Sequence, residues 1–110
     1  MYQALPIAER LKEQELLGTL FNNLGSANKL KQDWSQAWQW LEKSLQHNRT
    51  IAGDSAQVLA YTYFHLAGVA QAEGQTNLSR EYAQKSLALA ERHKLAELGA
   101  EVEALLKQKR

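Results

Sequence analysis

Three histidines, His47, His65 and His93, are the side chains best suited to hold a metal or move a proton near neutral pH. No two of them stand four residues apart, the spacing that sets a pair of imidazoles on one helical face. The sequence has no cysteine to complete a tetrahedral site. Asp33 and Asp54 both fall where helices are expected to begin, and capping accounts for them. Gly-rich phosphate loops and nucleophile elbows are absent. The expectation is a chain with no catalytic residue, no metal and no cofactor, and so not an enzyme.

What remains is the chemistry of recognition without bond-making. Thr19, Asn22, Asn23, Ser26 and Lys29 recur at helical spacing and form a polar strip able to hydrogen-bond an extended backbone. A second strip, Tyr61, Phe64, His65, Gly68 and Gln71, follows the same spacing but carries aromatic surface. Tyr61 and Phe64 can serve as exposed anchors for a ligand or pack against a neighbouring helix, whereas Asn23 and His65 are assigned to an open groove.

These strips need helices to hold them, and the composition supplies little else. Ala, Leu, Gln, Glu and Lys dominate, β-branched residues are scarce, and there is one proline, Pro6. At 110 residues and 45% hydrophobic content, the chain can bury one modest core. A net charge of +1 gives no field for nucleic acid or an anionic membrane. The opening Met-Tyr-Gln-Ala-Leu-Pro has neither a basic leader nor a long apolar run, so the expected location is cytoplasmic and no membrane is involved. Met1 is equally compatible with the start of an excised fragment.

The helices come in a repeat. Residues 14–47 overlay residues 56–89 at a constant shift of 42, without a gap. Leu17 falls on Leu59, Phe21 on Tyr63, Leu24 on Leu66, Gly25 on Ala67 and Trp40 on Tyr82, while Lys43-Ser44-Leu45 falls on Lys85-Ser86-Leu87. In each copy the first helix turns Leu17, Phe21, Leu24 and Asn28, or Leu59, Tyr63, Leu66 and Ala70, toward a core. The second turns in Ala37, Leu41, Ser44 and Leu45, or Ala83, Ser86, Leu87 and Ala90. Asp33 is the expected N-cap of one second helix, Asn77 or Ser79 of the other, and Gly74 the left-handed residue ending the helix before it. Gly25, Ala37, Ala67 and Ser79 are small where paired helices would cross.

This arrangement resembles the tetratricopeptide repeat (TPR) family. The pattern rests on Phe21-Asn22-Asn23-Leu24-Gly25, on Trp34-Ser35-Gln36-Ala37 and on Trp40-Leu41-Glu42-Lys43-Ser44-Leu45. It is echoed by Tyr63-Phe64-His65-Leu66-Ala67 and Tyr82-Ala83-Gln84-Lys85-Ser86-Leu87. It departs from the family where Asn28 and Ala70 replace an aromatic and where no proline closes either unit. The period of 42 exceeds the common 34 and is similar to the long variant of kinesin light chains, Pins-type polarity adaptors and bacterial regulators. The extra residues fall around His47–Asp54.

The resemblance implies an all-α, right-handed superhelical stack of antiparallel hairpins. The expected divisions are 6–47, 54–94 and a capping helix at 95–109. It also implies a concave groove, lined by the first helices, that binds a peptide or helix of another protein. Asn23 matches a position used for holding a ligand backbone, while Tyr61 and His65 stand where a carboxylate clamp would need basic residues. The alternative is a C-terminal structural segment of a larger repeat or regulatory protein. The terminal Lys107-Gln-Lys-Arg110 is read as complementing a helix dipole and not as a nucleic-acid patch. Leu5, Ile7 and Leu11 leave the first helix without a polar cap, so weak homo-oligomerisation is expected through that end.

Overall fold

The computed structural model describes residues 7–107. Five helices follow one another, α1 (Ile7–Leu30), α2 (Trp34–Ala52), α3 (Gln57–Ala72), α4 (Thr76–Arg92) and α5 (Ala96–Lys107). No strand occurs among the described residues. Pro6 and residues 108–110 lie outside them.

Three of the four turns have the same construction. Gln32 (φ 64°), Gly74 (φ 79°) and Lys94 (φ 58°) each take the left-handed conformation just past a helix. In each turn the next amide donates five residues back, Asp33 to Asn28 at 2.9 Å, Gln75 to Ala70 at 2.8 Å and Leu95 to Ala90 at 2.8 Å. These bonds satisfy carbonyls that the helix end would otherwise leave bare. Glycine suits the conformation at one turn, and at the other two a longer side chain tolerates it.

Capping agrees with expectation at one aspartate only. Asp33 accepts from the Gln36 amide at 3.2 Å and starts α2. Asp54 does not cap α3; its carboxylate takes Arg49 Nε–H at 2.8 Å across the α2–α3 turn, and Ala56 holds the N-cap position with no side-chain bond. Asn77 and Ser79 both lie inside α4, whose N-cap is Gln75. Ser79 instead donates its hydroxyl to the Ala67 carbonyl at 2.8 Å, tying α4 to α3 at their crossing.

Each hairpin closes on small residues. A Cβ on Gly25 would come within 2.4 Å of Leu41 Cγ, so the leucine occupies the volume a side chain would need. Ala37, Leu41, Ala60, Leu66, Ala67 and Val69 are completely buried, and Val102 of α5 extends the same core.

The repeat is visible atom by atom. Phe21 stacks on Trp40 at 5.8 Å with Lys43 Nζ 5.4 Å from either ring. One repeat later, Tyr63 stacks on Tyr82 at 5.9 Å with Lys85 Nζ 5.6 Å from the Tyr63 ring. Ser44 donates to the Gly18 carbonyl and Ser86 to that of Ala60, at 3.1 and 2.7 Å.

One expectation about the core fails. Leu17 and Leu20 of α1 are exposed, and Phe21, Leu24 and Asn28 are only half-buried. Their counterparts Leu59, Thr62, Tyr63, Leu66 and Ala70 are buried. A first helix is sealed between its own partner and the preceding hairpin; among the described residues α3 has both neighbours, and α1 has α2 and α3.

Candidate binding surface

Among the described residues, α1 approaches α3 and α3 approaches α5, whereas α2 and α4 nowhere come together. The stack therefore bends with its first helices inward. α1, α3 and α5 line the concave wall.

That wall has one concentrated feature. Lys29, near the end of α1, reaches across to α3 and sets its ammonium 4.8 Å from the centroid of the Phe64 ring. The same Nζ lies 3.4 Å from Nδ1 of His65. An ammonium can only donate, so Nδ1 must be the accepting nitrogen of a neutral imidazole. Gly68 completes the seat, because a Cβ there would stand 2.8 Å from Lys29 Cε and Nζ. Glycine inside a helix costs about 1 kcal/mol relative to alanine, and here the missing side chain is the space Lys29 occupies.

Burial dominates the electrostatics of this cluster. It lowers the Lys29 pKa from the ordinary lysine value, with Glu101 of α5 opposing the effect. It lowers His65 to about 4, with the nearby Lys29 charge adding to the effect. The titration near 6.5 expected for a groove histidine is thus displaced well into the acid range. The one carboxylate–cation contact among the described residues is Arg49–Asp54, so no carboxylate touches Lys29 there. Lys29 is a desolvated cation held by an aromatic face and a neutral ring.

The nine residues expected to form the site do not gather in one place. Lys29, Phe64 and His65 converge as described. Tyr61 is 37% exposed on α3, and Ser26 is half-buried on the α1 flank. Gln71 is half-buried at the α3–α5 junction near Arg80, Leu105 and Leu106. Thr19 is exposed at the mouth of a cleft with Glu15, Asn48 and Val58. Asn23 is exposed on α1.

Asn22 requires a correction. It is buried and unable to meet a ligand backbone. Its Oδ1 accepts from the Thr62 hydroxyl at 2.8 Å, and Thr62 Oγ1 lies 3.4 Å from that of Ser44. Asn48 Nδ2 then donates to Ser44 Oγ at 3.1 Å. A buried polar chain thus links α1, α3 and α2. Helical periodicity sets Asn22 on this side of α1, and α3 lies against it there.

His47 and His93 are structural. Each donates Nε2–H to a backbone carbonyl, His47 to Gln14 at 2.8 Å and His93 to Ser55 at 2.7 Å. The described residues contain no group of three or more His, Asp or Glu placed to hold a metal. None of their helices is long and apolar enough to cross a membrane. Two features escaped sequence reasoning, the role of Gly68 as the seat for Lys29 and the charge of Glu101 on α5. A glycine in a helix interior signals the first; nothing local signals the second.

A family model described as tetratricopeptide repeat matches residues 16–92. No curated protein and no solved structure matches the chain.

Proposed function

The chain belongs to the tetratricopeptide repeat family, and from that premise we propose that its concave wall binds a peptide or helix of another protein. Tetratricopeptide repeats are non-catalytic and mediate protein–protein interaction. The observation that carries the finer reading is the Lys29–Phe64 seat, a desolvated ammonium over an aromatic face with no carboxylate against it. Such a cation has donors to offer a ligand's carbonyl or acidic side chain, while Phe64 and Tyr61 offer apolar surface beside it. Ser26 adds a hydroxyl on the α1 flank. Asn22 contributes position only, through Thr62.

The test is selection from a displayed peptide library, followed by titration of the selected peptide. Phe64→Ala should weaken binding by about 2 kcal/mol or more, as an aromatic anchor does. Lys29→Met should remove the preference for acidic or carbonyl-rich sequences. Binding that survives both changes in full overturns the reading.

The 42-residue spacing of the equivalent turn residues Gln32 and Gly74 supports assignment to the long-period variant. A scaffolding role in the cytoplasm fits the cysteine-free sequence and completes the proposal. The alternative role, as a structural segment of a larger repeat or regulatory protein, is favoured by one observation, the uncovered outer side of α1.

A further inference from the structure

The outer side of α1, opposite the face packed on α2 and α3, is apolar and bare. Leu16 is 63% exposed and Leu20 50%, and Leu17 and Leu30 are exposed beside them. The repeat shows that this is a packing face. Shifted by 42 residues, Leu20 becomes Thr62 and Ala27 becomes Val69, both completely buried, Thr62 against Asn22 of the first hairpin. The same positions that α3 seals are left open on α1.

The residues along this face also have an order that packing as a second-repeat helix would not require. Glu13, Leu16, Leu20, Asn23, Ala27 and Leu30 alternate spacings of three and four, the seam of a coiled coil. The seam is acidic at its beginning, at Glu13, and basic past its end, at Lys31, and both side chains are exposed. Its midpoint falls between Leu20 and Asn23.

We propose that a second copy of this chain covers the face, with the two α1 helices packed antiparallel about a two-fold axis near residues 20–23. In this register Leu16 meets Ala27 of the second copy and Leu20 meets its Asn23. Leu17 and Leu24 pair along one flank. Glu13 of each copy lies beside Lys31 of the other, a complementarity that a parallel pairing lacks. The two Asn23 amides come to either side of the axis, where a polar residue in an apolar seam fixes register and orientation. The contact leaves the concave wall free, so it is independent of the peptide reading.

Sedimentation equilibrium of the full chain tests the proposal. The parent should shift from monomer toward dimer mass as concentration rises. Leu16→Glu with Leu20→Glu should weaken association by at least about a hundredfold while retaining helicity, because neither side chain is buried within one copy. Phe64→Ala should leave the mass unchanged. The absence of cysteine makes orientation measurable. Leu20→Cys should cross-link between copies on mild oxidation, whereas Leu30→Cys should not, since antiparallel helices set those positions roughly 25 Å apart along the axis. A parent that stays monomeric at high micromolar concentration overturns the proposal. So does equal cross-linking at positions 20 and 30.

Discussion

The Lys29 ammonium lies 3.4 Å from Nδ1 of His65, a bond that exists only while the imidazole is neutral. Because the folded-state pKa is lowered to about 4, the unfolded chain takes up a proton first as pH falls from about 6.5. Stability should be full above that pH and decline by about 3 kcal/mol toward pH 4, where the loss is complete. Denaturant titrations at successive pH values would show the slope, and His65→Gln should flatten that part of the curve. An unchanged slope would mean that His65 titrates normally.

Lys29→Met should act on its neighbour as well as on binding. Removing the charge withdraws one of the two influences holding the His65 pKa down, so its NMR titration should move upward. Relieving a desolvated cation should also favour the folded state. A downward movement of the histidine titration would place the ammonium elsewhere.

Gly25→Ala should destabilise the protein by about 1–3 kcal/mol, despite alanine's better helix propensity. The new Cβ meets Leu41 within the first hairpin's crossing. Thermal or denaturant unfolding of the variant measures the loss, and parent-like stability would show that α1 and α2 can separate cheaply.

Gln32→Gly should do the opposite, stabilising by about 0.5–1 kcal/mol by relieving a left-handed conformation that costs an L-residue about 1–2 kcal/mol. Gly74 already occupies the equivalent turn. A loss of stability would mean that the glutamine side chain contributes something the turn geometry does not reveal.

Thr62→Val should cost about 1–3 kcal/mol, because Asn22 Oδ1 loses its buried donor. Combining it with Asn22→Leu should recover part of that loss. A double-mutant cycle with no coupling would place the two side chains apart.

The pairing of helices was legible because it depends on residue size at fixed spacing. Gly25 and Ala37 announce a close crossing, and the overlay of Phe21 on Tyr63 and Trp40 on Tyr82 shows that both repeats keep the same two aromatic positions. Asp33 was legible as a cap because its bond is local. What the sequence concealed depends on a third element. Asn22 is buried because α3 lies over it, and Leu20 is exposed because, among the described residues, no hairpin packs on α1 as the first hairpin packs on α3 at Thr62. His65 looks like an ordinary histidine until Lys29 arrives from 36 residues away. Periodicity gives the direction in which a side chain points, but not how far away the next helix stands.

The polar chain through Asn22, Thr62, Ser44 and Asn48 has a mechanical consequence. Apolar helix faces can roll over one another with little directional penalty, but hydrogen bonds of fixed geometry resist it. The two hairpins are therefore tied by directional bonds, at Asn22–Thr62 and again at Trp38 Nε1–H, which donates to Glu73 at 2.6 Å. Lys29 sits two turns further along α1, held by packing over Phe64 and one long bond to His65. The junction of the hairpins is thus held by directional bonds at its middle and by less directional contacts at the lysine.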